Sequence, residues 1–402
     1  MSPLIPVDEV IATLLADAVP SRDVQEVSIS ICVGHVLAED MVAGINVPPV
    51  ANSSMDGYAF NCEDAEIAIG SICRISDRIA AGTVGAPLTR GTVARIFTGA
   101  PVPEGANAVV MQEDTEPVDD DHIKLIKLPV QGENVRVAGQ DIERGALILA
   151  RGRRIKPQDA ALMASVGVAA VPVMRPLRVA VMSTGDELVD PPGPLAPGQI
   201  FNSNHYALIG LIRNLGMEVV DLGLVPDDLN STEVALRRGA SQADCIVSSG
   251  GVSVGEEDHV KAALEKLGDL ALWRIAIKPG KPLAFGQIEG IPFFGLPGNP
   301  VSTFVTFTMI ARPYLLKMQG CSDLLPRPIY ANAAFELEPG GRREYVRVRL
   351  ETTRDGDLNA TAYGNQGSGV MSSVVWADAL AEVDIGQSVR YGDRLKVFLI
   401  DH

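Results

Sequence analysis

Between residues 177 and about 320, short apolar runs alternate with helix-patterned segments, and this alternation limits the possible folds more than any other feature of the chain. The runs are Leu177–Met182, Glu218–Leu222, Cys245–Ser248, Leu272–Ile277 and Ile291–Phe294. Such alternation predicts a parallel, doubly wound α/β sheet. In sheets of that kind ligands gather beyond the carboxyl ends of the strands, so the residues after each strand are where chemistry is to be sought.

The flanks follow other patterns. Val7, Val10, Ile11, Leu14, Leu15 and Ala18 fall on one helical stripe, with Asp8 and Glu9 at its positive end and Pro20 closing it. From about 47 to 141, short alternating runs (Ser71–Ile75, Thr92–Phe97, Ala108–Met111, His122–Lys127) separated by Gly, Pro and Asp predict a small all-β module. Pro157–Val166 resumes a helical pattern, so the N-terminal helical region is split by that insertion. After Pro326 and Pro328, short strands such as Tyr345–Leu350 and Leu395–Ile400 predict a β barrel or sandwich. The divisions fall at 1–46 with 142–176, 47–141, 177–327 and 328–402, and 402 residues suffice for that many cores.

Charge restricts the partners. Lys and Arg number 34 against 50 Asp and Glu, a net charge of -16, which argues against a nucleic-acid partner held by a broad positive field. Any anionic ligand must be met locally. Five scattered cysteines without a CxxC pair favour neither a disulfide framework nor a thiolate metal site and fit a reducing cytoplasm. The longest uncharged run, 160–174, is too short to cross a bilayer, and the first residues carry no basic-then-apolar leader, so no membrane partner is expected.

The loops after the strands are polar. The first strand leads into Ser183-Thr184-Gly185-Asp186-Glu187, the second into Pro226-Asp227-Asp228, and the third into Ser248 through Gly255 followed by Glu256, Glu257 and Asp258. Carboxylates in that number repel one another unless a cation sits between them, and hard oxygen ligands beside a phosphate suit Mg²⁺. Taken singly, Asp186, Asp227 and Asp258 read as turn residues or helix caps, and it is their gathering at one sheet edge that favours a cation. The glycine loop matches neither G-x-G-x-x-G nor the P-loop pattern, although its N–H groups could cradle an oxyanion.

Two further loops complete the edge. Lys278-Pro279-Gly280-Lys281-Pro282 holds two lysines three apart, which a shared polyanion would explain. Gly295 through Ser302 leads into an apolar helix with Asn299 at its N-cap and Pro300 at its first position, a ready anion site. Elsewhere, Asn52 through Tyr58 reads as an Asp-Gly turn or a binding loop. Arg342, Arg343, Arg347 and Arg349 form a basic cluster whose ordinary reading is surface solvation, 21 residues before Ser368 in the case of Arg347. The five histidines are too widely spaced for a zinc or triad motif.

Ser54-Met55-Asp56-Gly57-Tyr58-Ala59, Thr98 to Pro103, Ser183 to Leu188, Ser249 to Gly255, Lys278 to Pro282 and Gly295 to Ser302 together resemble, in order, the motifs of the molybdopterin molybdenumtransferase family, MoeA and the gephyrin E domain. The resemblance implies an α/β multidomain chain: a split helical domain, an inserted β domain, a doubly wound α/β domain like the molybdopterin adenylyltransferases, and a C-terminal β barrel. It implies an elongated homodimer in the cytoplasm, supplied by a molybdopterin adenylyltransferase. The implied reaction converts adenylylated molybdopterin and molybdate to molybdenum cofactor and AMP with Mg²⁺.

Carried over by position, the resemblance makes Glu187, Asp227 and Asp258 the acidic residues around metal and pyrophosphate. Asp56 and Thr98, contributed across the dimer, and Arg136 and Asp141 match others on the same cleft, and Lys278 matches a substrate-binding lysine. Ser249, Gly250, Gly251 and Ser253 belong to the substrate loop, while Lys281, Pro282, Ser302, Arg347 and Ser368 match the molybdate pocket. His259, Arg274 and Val50 depart from the family's commoner Tyr, Lys and aromatic. An adenylyltransferase shares the α/β domain alone, and the flanking β domains and the Gly295–Ser302 loop favour insertion. A scaffold reading draws on the gephyrin likeness, without a fused second enzyme or long linker in the sequence.

Overall fold

The computed structural model describes residues 4–251 and 259–400. Helix α1, Val7–Asp17, buries Val7, Val10 and Leu14, the stripe its spacing predicts, and ends three residues before Pro20. That stripe packs into the core of the α/β domain, beside Leu177, Val179 and Tyr314, and not against the N-terminal segments that follow it. Those segments are less helical than their pattern suggests. Val24–Ser28 pairs antiparallel with Ala170–Met174, and Met41–Val42 with Leu147–Leu149; helix α2, Pro157–Ser165, covers them. The β-branched residues Val24, Val27, Val171 and Val173 explain the ladder.

The inserted β domain is a six-stranded mixed sheet in the order 108–111, 57–60, 92–96, 72–79, 122–125, 115–117. The Asp56-Gly57 step opens the second of these strands and does not form a hairpin turn. Gly57 is required there by crowding: a Cβ would lie 1.9 Å from the Val110 carbonyl oxygen.

In the α/β domain the strands are β1 (Arg178–Thr184), β2 (Glu218–Val225), β3 (Cys245–Ser249), β4 (Gly268–Arg274), β5 (Pro282–Ile288) and β6 (Ile291–Leu296). Their order across the sheet is β2-β1-β3-β6-β5-β4. The first four run parallel, with helices α3 (Ser203–Asn214), α4 (Leu229–Gln242) and α5 (His259–Leu267) between strands. β5 corrects the all-parallel expectation: it is a strand the apolar pattern did not single out and runs antiparallel to both β6 and β4, so that β4, which ends at Arg274, keeps the direction of the first four. The cause is local. Glu289 and Gly290 both have positive φ, 51° and 84°, and make the two-residue turn that joins β5 to β6 as a hairpin. Helix α6, Pro300–Thr306, then leads into a further helical run to Met318.

The C-terminal strands β7 (Ile329–Ala333), β8 (Arg343–Thr352), β9 (Leu358–Ala362), β10 (Ala379–Val383) and β11 (Arg394–Leu399) close as β8-β9-β7-β11-β10-β8. This is a barrel, filled by small residues such as Ala331, Ala333, Ala360, Ala379 and Ala381 with Val346, Val348 and Val397. Ile277–Lys278 adds in parallel to the start of β8, with Lys278 opposite Glu344. The lysine loop is therefore fastened to the barrel by backbone.

Candidate active site

One cleft of about 1100 Å³ lies along the carboxyl edge of the parallel strands and is closed on one side by the barrel. Because β5 and β4 are antiparallel to their neighbours, the start of β5 and the end of β4 reach this same edge. Glu187, Asp227, Gly250, Gly251, Lys278, Lys281, Pro282, Ser302 and Ser368, all expected from the sequence, line it. Asp258 and Ser253 lie outside the described residues.

The acidic end follows β1 and β2. Asp228, not Asp227, caps α4: its side chain accepts the Ser231 N–H at 2.8 Å, and the Ser231 hydrogen bonds hold its carboxyl below the usual range. Asp227 is thereby left to face the cleft, steadied by the Thr184 hydroxyl at 3.2 Å. Neither Glu187 nor Asp227 is ion-paired among the described residues. Two hard carboxylates on one cleft wall suit Mg²⁺, which takes one or two protein carboxylates and completes its shell with water and substrate phosphate.

Glycine loops form the middle. A Cβ on Gly250, whose φ is +89°, would lie 2.6 Å from the Thr184 carbonyl, so backbone stands where other residues would put a side chain. The Gly250 N–H donates to the Leu296 carbonyl at 3.2 Å. Asn299 occupies the N-cap position of α6, but its side chain makes no cap bond. Ser249 is buried just behind the loop, its hydroxyl accepting from Asn204 at 2.8 Å. Nothing in the reading of the sequence pointed to Asn204.

The basic end holds Lys281, Lys278 and Arg342. Lys278 is half exposed, and its Nζ donates to Glu344 Oε2 at 2.9 Å, a carboxylate only 9% exposed. Arg347 reverses the surface reading of the arginine cluster. It is fully buried on β8, one layer behind the cleft wall, and donates to the Ser373 hydroxyl and to the Tyr345 and Gly367 carbonyls at 3.1–3.3 Å. Burial pulls its guanidinium down to about 10, only partly offset by Glu344. Its backbone is clasped by Gln366, which accepts from Arg347 N and donates to Arg347 O, both at 3.0 Å. Arg347 thus supports the Gly367-Ser368 rim from beneath. Of the other arginines, Arg343 pairs with Asp8 and Asp384, and Arg349 stacks 4.5 Å from the Trp376 ring.

The remaining expected residues stand elsewhere in the chain. Asp56 Oδ1 accepts from both N and Oγ1 of Thr98 at 2.8 Å, and these bonds hold its carboxyl below the usual range. Arg136 lies on a short strand in register with Asn52. Asp141 lines a separate pocket of about 540 Å³ between Gly139 and Leu162. Within one chain, no residue of the inserted β domain lines the main cleft.

Three family profiles match in succession: MoeA N-terminal region (domain I and II) over residues 5–167, probable molybdopterin binding domain over 180–317, and MoeA C-terminal region (domain IV) over 331–400. The chain is 40% identical over 343 residues to the molybdopterin molybdenumtransferase of Haemophilus influenzae, covering 85% of each. It is 36% identical over 329 residues to molybdopterin molybdenumtransferase 2 of Mycobacterium tuberculosis, covering 79% of this chain and 81% of the relative. The crystal structure of the molybdopterin biosynthesis MoeA protein from Pyrococcus horikoshii superposes with a TM-score of 0.86 at 28% identity, covering 99% and 100% of the two chains. With most of its length matched by these profiles and relatives, the chain belongs to the MoeA family.

Proposed function

We propose that this chain inserts molybdenum in molybdenum cofactor biosynthesis, taking adenylylated molybdopterin and molybdate and releasing AMP. The observation that carries the reading is the length and polarity of the cleft. Asp227 follows β2 at one position of the sheet and Pro282 opens β5 four strands away. At about 4.8 Å per strand, roughly 19 Å separate a carboxylate end from a lysine end. A substrate that carries a pterin dithiolene, a phosphoanhydride and an adenosine along its length fits that span.

At the acidic end, Glu187, Asp227 and Asp258 are the residues that would hold Mg²⁺ beside the phosphoanhydride. Such an ion, when bound, would supply charge neutralisation for the phosphates and favour a water nucleophile. Cleavage takes up one water and gives AMP. At the other end Lys281, Lys278 and Ser302 hold molybdate, a dianion that needs charge and donors, while Arg347 supports the Ser368 rim. Both soft dithiolene sulfurs then bond to molybdenum, and one oxo ligand leaves with the two thiol protons as water.

A homodimer brings Asp56, Thr98, Arg136 and Asp141 of one subunit to the cleft of the other. A molybdopterin adenylyltransferase in the cytoplasm supplies the substrate; neither nucleic acid nor membrane takes part. Among the described residues no helix is long and apolar enough to cross a membrane. The test mixes purified protein with adenylylated molybdopterin and molybdate. One AMP per inserted molybdenum is expected; conversion of ATP and molybdopterin to adenylylated molybdopterin, or no AMP, overturns the reading.

A further inference from the structure

The first turn of α3 joins loops that are far apart in sequence. Asn202, its N-cap, donates from Nδ2 to Asp190 Oδ1 at 3.3 Å, and His205 Nε2 lies 3.0 Å from Asp221 Oδ1 on β2. Between them, Asn204 Nδ2 donates both to the Ser249 hydroxyl at 2.8 Å and to the Gly298 carbonyl at 2.7 Å. The carbonyl of Gly298 can only accept, which fixes the amide's orientation. Two acceptors on two loops are therefore satisfied by two protons on one nitrogen.

The loops so joined form the middle of the cleft. Ser249 ends β3 and leads into Gly250 and Gly251, while Gly298 lies between β6 and α6. They meet backbone to backbone: a Cβ on Gly298 would lie 4.0 Å from the Gly250 Cα. From the second loop the connection continues to the barrel, since Val301 N–H donates to the Ser368 carbonyl at 2.9 Å. Glycine loops have no side chains to lock them together, so an external tie of this kind sets their spacing.

We infer that Asn204 is a positioning residue for the long substrate, holding the two glycine loops at the separation that the middle of that substrate requires. This rests on the proposed reaction. Asn204 touches neither end of the cleft, so its loss weakens binding of the spanning molecule and leaves molybdate binding at the lysine end alone. Asn204→Asp keeps the shape but sets an oxygen against the Gly298 carbonyl. Asn204→His restores one N–H donor at a similar reach.

The experiment compares the full-length wild-type protein with both variants. At saturating molybdate, Asn204→Asp is expected to raise the KM for adenylylated molybdopterin about tenfold, the loss of a hydrogen bond of about 1.4 kcal/mol. Its half-saturating molybdate concentration stays within twofold, and Asn204→His recovers most of the KM. Amide hydrogen exchange, which needs no substrate, is expected to accelerate at Gly250 and Val301 in Asn204→Asp but not in the inserted β domain. An unchanged KM and unchanged exchange, or equal rises in KM and in half-saturating molybdate, overturn the inference. If the wild type releases no AMP, the proposed reaction fails; accelerated loop exchange then still supports Asn204 as the tie, and unchanged exchange removes it.

Discussion

Replacing Lys278 by Met removes a cleft lysine and also strips a buried carboxylate of its cation. Lys278 Nζ sits 2.9 Å from Glu344 Oε2; the lysine side chain is 46% exposed and the glutamate 9%. A fully buried pair broken on one side costs roughly 3–5 kcal/mol, and an exposed pair about 0–1. With only the glutamate buried, about 2 kcal/mol is expected for Lys278→Met. Glu344→Gln leaves a half-exposed lysine that water can solvate and should cost less than about 1 kcal/mol. The double variant should match Glu344→Gln, a coupling of about 2 kcal/mol in the double-mutant cycle. Urea unfolding of the barrel reads this through Trp376, which packs against Tyr363 at 5.2 Å, in a Trp273→Phe background. With a slope of roughly 2 kcal/mol per molar, the Lys278→Met midpoint falls by about 1 M. Coupling below about 0.3 kcal/mol would show that Glu344 does not depend on Lys278.

Three other outcomes are expected. AMP release should cease in excess EDTA and return with added Mg²⁺; full release in EDTA would exclude a metal role for Glu187 and Asp227. Inactive Asp56→Ala and inactive Asp258→Ala subunits, dissociated and reassociated together, should recover about a quarter of wild-type activity or more on shared cleft geometry, and no recovery would reject the shared site. Burial pushes the Asp159 carboxyl up, but Arg153 donates two hydrogen bonds at 2.8 Å, Lys156 N one more, and the net result lies below the usual carboxylate range. Its contribution is thus present above the unfolded pKa near 4 and is lost as pH falls through the lower folded value. Asp159→Asn should flatten that acid loss around α2, measured by thermal unfolding between pH 5 and pH 2, and an unchanged profile would contradict the cause given.

The cleft was legible in the sequence because its parts follow strands. Once the alternation of strand and helix is seen, Asp227, Gly250, Lys281 and Ser302 must gather on one edge, whatever their distance along the chain. What escaped is what depends on contacts across the chain. Asn204 meets partners 45 and 94 residues away and belongs to no local motif. The β5–β6 hairpin turns on Glu289-Gly290, which lacks the Asn or Asp that usually signals such a turn. Arg347 lies among alternating arginines and valines, and only closure of the barrel and the loop clasp of Gln366 bury it. Helix α1 showed its apolar stripe plainly, but a stripe does not say which core it will join.

The two ends of the cleft are separated by AMP release measured against molybdate concentration in Lys281→Met and Asp227→Asn. Loss of one charged donor to a dianion costs about 1.5–3 kcal/mol, so Lys281→Met should need roughly 10- to 100-fold more molybdate for half-saturation and reach near-normal turnover once saturated. Asp227→Asn should release almost no AMP at any molybdate concentration. Unchanged half-saturation in Lys281→Met, or rescue of Asp227→Asn by added molybdate, would contradict the division of the cleft into a phosphoanhydride end and a molybdate end.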